Sequence, residues 1–448
     1  MKKMPWIIMM GAGTVSPLMS GWVQAAGFIE DSHADLTLRN FYISNDTRNS
    51  TTPNIKEWAQ GFMLNYQSGF TQGTLGFGVD ALGLLGMKLD SGGNATKAGR
   101  DRTPGVLEPL SNGSPVDEYA SLGLAAKMKL SKTEFRYGTL QPKLPVIYAN
   151  DGRLLPQTFE GGQVTSKEID NLTLVGGRLE HAKARASTDN QALSIGGAGN
   201  VPGTSNLRRS NAFYYAGGDY QVSKNLLAQY YYGELDNFYQ QHFFGLTHTL
   251  PLPVGSFKSD LRYFVSDSDG KNGSTAGRAE GYTSTGYYGN GVTHGKVDND
   301  LFSSLFTYSL SGHAFSLGYQ KSSGDSAMPF INQGDGASVY LNTDRLVSNF
   351  TRAGERTWIG QYAYDFAALG VPGLTSTVSY YKGDQIASAT GGLREWERDL
   401  IIAYVLPDGP LKGLGVTWRN ATYRSQAAIG TADADHNRLM ISYSLPLF

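Results

Sequence analysis

Cysteine is absent from the chain, which excludes disulfides, thiolate metal sites and cysteine nucleophiles. Charge is scarce: charged residues make up 17% and the formal net charge is −1, so nothing marks a nucleic-acid binder. No run of about 18 apolar residues occurs anywhere after the start, so no helix of this chain is apolar enough to span a bilayer. Hinges are lacking too. No Pro/Ser-rich stretch, charge block or shift in composition divides the 448 residues into the two or three domains usual for a soluble chain of that size. What is plentiful is Gly (56), Tyr (26) and Phe (20), at a mean hydropathy of −0.30. That is too polar for a helical membrane protein. It suits one large closed barrel, in which an apolar outer face is averaged with a wet inner one.

The first residues read as a secretory signal. Lys2 and Lys3 supply positive charge, Trp6 to Met19 is a short apolar stretch broken by Gly, Ser and Pro17, and Val23-Gln24-Ala25 offers small residues at −3 and −1. Cleavage is expected after Ala25, leaving 26–448 as the barrel. As a membrane anchor the stretch is too short and too broken.

The repeating signal is alternation. Leu439, Ile441, Tyr443 and Leu445 fall on one face of a strand, with Arg438, Ser442 and Ser444 on the other, because strand side chains have period two. The same split separates Trp358, Tyr362, Tyr364 and Phe366 from Gln361, Ala363 and Asp365, Trp418 from Arg419, and Phe135 and Tyr137 from Glu134 and Arg136. The class expected is all-β: a transmembrane antiparallel barrel of about 18 strands. The segments are 33–44, 57–69, 72–89, 117–130, 131–140, 157–166, 171–181, 211–222, 224–235, 239–249, 256–267, 300–310, 312–322, 355–366, 373–384, 395–406, 412–424 and 436–448. A further candidate, Ala337 to Leu346, would disturb the turn pattern. Short turns at Ser68-Gly69, Leu130-Ser131, Val222–Lys224, Leu310–Gly312 and Pro407–Pro410 alternate with long connections at 45–56, 90–116, 141–156, 182–210, 268–299, 323–354, 385–394 and 425–435. Outer-membrane barrels sort their connections in this way, short on the periplasmic side and long outside. Trp58, Trp358, Trp396 and Trp418 are expected in interfacial girdles.

Catalysis finds no support. The seven histidines, His33, His181, His242, His248, His294, His313 and His436, sit in no Gly-x-Ser-x-Gly elbow and no His-Glu-x-x-His pattern. His242 and His248 share a strand face, but surface or lumen histidine is the better reading. No metal, cofactor or catalytic residue is expected.

Several stretches resemble the OprD family of outer-membrane carboxylate channels, the substrate-specific porins. They are Phe28–Ser32 with Leu38–Tyr42, Trp58–Phe62, Ser68–Thr74, Gly76–Asp80, Lys132–Gly138 running through Pro142–Val146 to Gly152–Thr158, Tyr362–Phe366 with Leu369–Thr375, and Trp418–Arg424. The resemblance covers nearly the whole chain after the signal. It implies an 18-stranded outer-membrane channel, monomeric or loosely trimeric, with inward-folded constriction loops. It also implies a basic ladder along one wall that guides carboxylate-bearing substrates, here aromatic or cyclic acids. The final Phe448, closing an amphipathic strand, resembles the signal read by the outer-membrane assembly machinery. Outer-membrane lipid and lipopolysaccharide are the expected surroundings. A general non-selective porin, a family channel for amino acids or peptides, and a plugged structural barrel are the alternatives.

A pore for small anions needs fixed positive charge facing water. Arg stays charged and presents a planar fork of donors to a carboxylate. Arg39, Arg136, Arg262, Arg419 and Arg438 lie opposite the apolar residues of their strands, where a lipid-facing Arg would cost roughly 2–4 kcal/mol at mid-bilayer. They are therefore expected in the lumen, in the ladder or paired with carboxylates such as Glu134. Arg178 is ambiguous and could sit at the rim. Loop 141–156 is the expected constriction: Pro142 and Pro145 stiffen it, Asn150-Asp151-Gly152 turns to aim Arg153, and Tyr148 and Asp151 join the narrowing. Loop 323–354, with Gly324-Asp325 and Asn332–Gly336, either folds inward or binds calcium at the surface.

Overall fold

The computed structural model describes residues 27–48, 54–91, 105–111, 114–284, 295–332, 339–344, 346–389, 391–427 and 433–448. Residues 1–26, with the signal and its cleavage point, lie outside them. Eighteen antiparallel strands form a closed barrel: β1 33–47, β2 55–67, β3 75–91, β4 118–130, β5 133–140, β6 158–166, β7 172–183, β8 213–223, β9 226–235, β10 239–251, β11 256–268, β12 298–310, β13 313–323, β14 356–365, β15 374–386, β16 393–405, β17 415–425 and β18 434–446. Each pairs with its neighbours in sequence, and β1 returns to β18 from Asp35↔Pro446 to Thr47↔Ala434. Closure leaves no edge whose amides would go unpaired in hydrocarbon. The candidate strand Ala337 to Leu346 is not one: its described residues, 339–344 and 346, are turn and irregular backbone inside a loop.

Alternation sorts the wall. Along β13, Phe315 and Leu317 point outward at 51% and 73% exposed, while Ala314, Ser316, Gln320 and Ser322 point inward. Leu122, Leu124 and Tyr137 continue the outer belt, and Trp58, Trp358 and Trp418 are exposed on it. At one end, where β1 begins and β18 finishes, connections run to nine residues at most, and the longest, 92–117, 141–157, 184–212, 269–297 and 324–355, all join strands at the other. Four connections at the long-loop end are short as well: 48–54, 387–392, 426–433 and the tight turn 236–238 between β9 and β10.

The wall bends where the constriction loop leaves it. Gly138 in β5 faces Gly161 in β6. Gly138 has φ +132°, and a Cβ on it would sit 2.2 Å from the Leu124 carbonyl oxygen; one on Gly161 would sit 2.1 Å from that of Arg178. Only residues without a side chain allow this approach. Just beyond, loop 141–157 turns into the barrel and meets two other loops, 184–212 and 324–355. Val146, Ile147, Leu193, Ile195, Met328 and Leu341 are buried together there with wall residues such as Phe243 and Phe264. The largest apolar core thus lies inside the barrel.

The outer belt makes a testable demand. Leu317→Arg should lower stability in lipid vesicles by about 2–4 kcal/mol, measured by urea unfolding and gel mobility. Ser442→Arg, which points into the lumen, should cost less than about 1 kcal/mol.

Candidate functional site

Loop 141–157 crosses the lumen. A small hairpin pairs Lys143–Leu144 with Ile147–Tyr148. Wall glycines make room for it at two places: a Cβ on Gly233 of β9 would meet Val146 at 2.9 Å, and one on Gly61 of β2 would meet Leu154 at 3.1 Å. The Asn150 turn forms as its sequence suggests, with Gly152 N donating to Asn150 Oδ1 at 3.0 Å. Gln157 clamps the loop neck, accepting from Asn150 N at 3.1 Å and donating its own N–H to the Asn150 carbonyl at 2.8 Å.

Arginines anchor this loop. Arg39 of β1 bonds Asp151 at 2.7 Å and donates to the carbonyls of Arg153 at 2.9 Å and Leu154 at 3.4 Å. Arg438 of β18 donates to the carbonyls of Gly152 at 3.4 Å and Leu346 at 2.9 Å, and to the His436 ring at 3.2 Å. It thereby ties loop 141–157 to loop 324–355. Arg153 reaches the Gly105 carbonyl at 3.0 Å. Arg419 of β17 stands directly across from Arg438 in the strand register. Arg185, which alternation does not select, is buried and donates to Asn150 Oδ1 at 2.9 Å. A Cβ on Gly152 would lie 3.5 Å from Arg185 Nη1 and 3.9 Å from Arg438 Nη1, and Arg153, Arg185 and Arg419 all lie within electrostatic reach of Arg438.

Below the loop, toward the short turns, a cavity of about 1780 Å3 opens, with Arg39, Asp151 and Pro142 at its roof and Asp35, Lys129, Glu134 and Arg136 in its wall. Arg136 is ion-paired with Glu134 and with Asp80 at 3.1 Å. Lys127, which sequence reasoning passed over although it alternates inward, is buried on the same Asp80 at 2.6 Å. Arg262 lies apart on β11. It grips Asp260 through two bonds of 2.7 and 2.9 Å and packs 4.1 Å over the Tyr340 ring. Arg178 is half exposed on the outer face, paired with Glu180 at 3.2 Å and 5.7 Å over Tyr214. Tyr148 is partly buried in the hairpin. Burial and the charge of Asp344 hold its phenol above the ordinary value, so it stays a neutral hydrogen-bonding group.

Beside these arginines the wall turns acidic at β16, the neighbour of β17. Glu395, Glu397 and Asp399 share the inward face of β16 and are buried. The two glutamates hold loop 324–355: Glu397 accepts from the amides of Val347 at 3.0 Å and Ser348 at 2.8 Å, and Glu395 accepts from Ser348 Oγ at 2.7 Å, Tyr423 at 2.5 Å and Arg352 at 3.2 Å. Loop 324–355 therefore folds inward. Residues 333–338, with most of the Asn332–Gly336 stretch, lie outside the described residues. Among the described residues no group of three His, Cys, Asp or Glu side chains could hold a metal ion.

The loop anchors make two predictions. Arg39→Ala removes charge-assisted bonds worth about 1.5–3 kcal/mol each, so single-channel recordings should show noisier and larger conductance. Glu355 ends loop 324–355 and is fully buried; desolvation and the neighbouring Glu395 raise its carboxyl well above the usual range. Its charged form is disfavoured when the loop is docked, so docking weakens as pH rises through the carboxylate range and strengthens as pH falls. Glu355→Gln should flatten the pH dependence of single-channel conductance above the ordinary carboxylate range, where the docked wild-type carboxyl titrates.

The outer membrane porin family OprD matches residues 26–447. The porin-like protein GalP of Pseudomonas putida is 36% identical, over 94% of each chain. Among solved structures, OccK8 (OprE) of Pseudomonas aeruginosa superposes with a TM-score of 0.86 at 59% identity, covering 94% of this chain and all of that one. OpdK of the same organism, solved with vanillate, gives 0.81 at 34%, with the same coverage. With closed barrel, sorted connections and inward loops in place, this chain belongs to the OprD family of outer-membrane porins and is an integral β-barrel of that membrane.

Proposed function

We propose that this channel passes small carboxylate-bearing molecules, aromatic or cyclic acids among them, and acts by guided diffusion rather than as an enzyme. The observation that carries the reading is the arginine group around Gly152 above the cavity. The acceptors of Arg438 are carbonyl oxygens and an imidazole. Arg153 and Arg185 likewise give hydrogen bonds to a carbonyl and an amide oxygen. These acceptors are neutral, and although Glu397 lies within electrostatic reach of Arg438 and Glu57 of Arg153, the four cations Arg153, Arg185, Arg419 and Arg438 outnumber them, which supports a positive potential at the narrowing. Arg39, Arg153, Arg419 and Arg438 then form the upper rungs of the ladder and Arg136 its lower one, with Tyr148 and Asp151 bounding the passage. Arg262 contributes least, because Asp260 neutralises it.

An anion crossing such a row exchanges one guanidinium for the next and meets no single deep trap. OpdK was solved with vanillate, a carboxylate on an aromatic ring, and that supports the substrate class by family likeness. The mature chain on this reading begins after Ala25.

Reversal potential across a planar bilayer under a salt gradient tests the proposal. The wild type should be anion-selective and its current blocked by benzoate. Arg136→Ala combined with Arg153→Ala should lose most of that selectivity. Cation selectivity untouched by the substitutions would overturn the ladder and favour a general porin.

A further inference from the structure

The outward face of the barrel carries charge where hydrocarbon-facing strands should not. At the long-loop ends of β14 to β17, Arg356, Lys382, Arg394 and Arg398 are exposed and Arg424 is half-buried. Their outward direction follows from alternation: Thr357, Tyr381, Gly383, Glu395, Glu397, Asp399 and Tyr423, the intervening residues, are buried against the lumen side. Two of these five cations are neutralised. Arg356 pairs with Asp384 at 3.1 Å and Arg424 with Asp435 at 2.9 Å. Lys382, Arg394 and Arg398 have no carboxylate partner among the described residues. The two hydrogen bonds of Arg398 go to Thr422 Oγ1 at 3.0 Å and Asn420 Oδ1 at 3.5 Å, both uncharged and both made by Nη2. Nε and Nη1 remain for a ligand.

The three cations form one compact group. Lys382 stands opposite Trp396 on β16 and opposite Trp358 on β14. Arg394 and Arg398 flank Trp396 on the same strand face, each about 7 Å along from it, while neighbouring strands are about 5 Å apart. Arg398 faces Tyr380, whose ring stacks on Trp396 with centroids 5.9 Å apart. Cations are thus interleaved with aromatic rings of the kind that sit at a membrane interface.

We infer that this face binds the phosphorylated headgroup of an outer-leaflet glycolipid, the lipopolysaccharide of the outer membrane, with Lys382, Arg394 and Arg398 on phosphate and Trp358 and Trp396 beside the sugar and upper acyl chains. The long loops put this end of the barrel outside, where that leaflet supplies the counter-charge. A guanidinium facing hydrocarbon is costly unless it lies near the interface, and a phosphate there turns the cost into charge-assisted bonding. A second copy of the chain fits less well, since both acidic residues of the patch are already paired within it.

Native mass spectrometry of the full barrel in detergent tests this, with lipid A, dephosphorylated lipid A and phosphatidylglycerol as probes. The wild type should retain lipid A in preference to the other two. The triple variant K382Q/R394Q/R398Q should retain it about tenfold more weakly, with conductance unchanged because none of the three faces the lumen. The charge-keeping variant K382R/R394K/R398K should bind like the wild type, and single R398Q serves where the triple variant fails to insert. Equal retention of lipid A by R398Q, by the triple variant and by the wild type would overturn the site. Equal retention of phosphatidylglycerol would overturn the glycolipid assignment. A change of oligomeric state without loss of lipid would make the patch a subunit contact instead.

Discussion

A strand crossing hydrocarbon has no water to receive its amides and carbonyls, so every one must be paired by another strand. The register between β1 and β18, continuous over thirteen positions from Asp35 to Thr47, closes the ladder, and the rest of the molecule follows from that closure. Once the backbone is satisfied by neighbours alone, side chains are free to be sorted by face. Along β13 Phe315 and Leu317 go outward, and Ser316, Gln320 and Ser322 go inward.

Closure creates a second problem. A barrel of 18 strands encloses more space than its own inward side chains can fill, and loops that enter it bring unpaired carbonyls with them. The arginines answer both needs. A guanidinium has five donors and no acceptor, so Arg39 and Arg438 bind the carbonyls of Arg153, Leu154, Gly152 and Leu346 and still keep their charge. A carboxylate does the complementary work for loop amides, as Glu397 does for Val347 and Ser348. The nearby strands β16 and β18 therefore carry opposite signs because they meet different backbone groups: within loop 324–355 alone, Glu397 takes two amides and Arg438 takes the Leu346 carbonyl. On the proposed function, the groups that hold the constriction in place are also the ones that select what passes it.

Much of this was legible in the sequence. Period two marks each wall strand because burial on one face and hydrocarbon on the other impose it, and β13 or β18 could be read residue by residue. The longest connections were legible for the same reason, whereas the links read as long at 45–56, 385–394 and 425–435 shrink to 48–54, 387–392 and 426–433, and the three-residue link 236–238 breaks the alternation of long and short. The constriction loop could be found through its prolines and its Asn150-Asp151-Gly152 turn. Three features were not legible. Arg185 sits in a long connection with no period, and only the alternate apolar pair Leu193 and Ile195 hints that this loop packs inside. The acidic face of β16 reads as an ordinary polar face until the loop that covers it is known. The isolation of Arg262 depends on Asp260, two residues away on the same face, a pairing the sequence permits but does not require.

What separates the arginines is the company each keeps. Arg262 is paired with Asp260, so its charge is largely cancelled and its role is to fill and fix the wall. Arg438 is saturated by carbonyls and a ring nitrogen, so its donors are occupied while its field persists. Arg398 faces outward on neutral oxygens, with charge and donors both in reserve. Because the field at a site depends on net charge and the bonding on free donors, one residue type would, on the two proposals made above, support three functions in one barrel: structure at Arg262, guidance at Arg438, and attachment to the surrounding leaflet at Arg398. Counting basic residues along the pore therefore overstates its potential. The useful measure is the charge of each cation's partners, and at Arg438, where loop 141–157 meets loop 324–355, the hydrogen-bond acceptors are neutral.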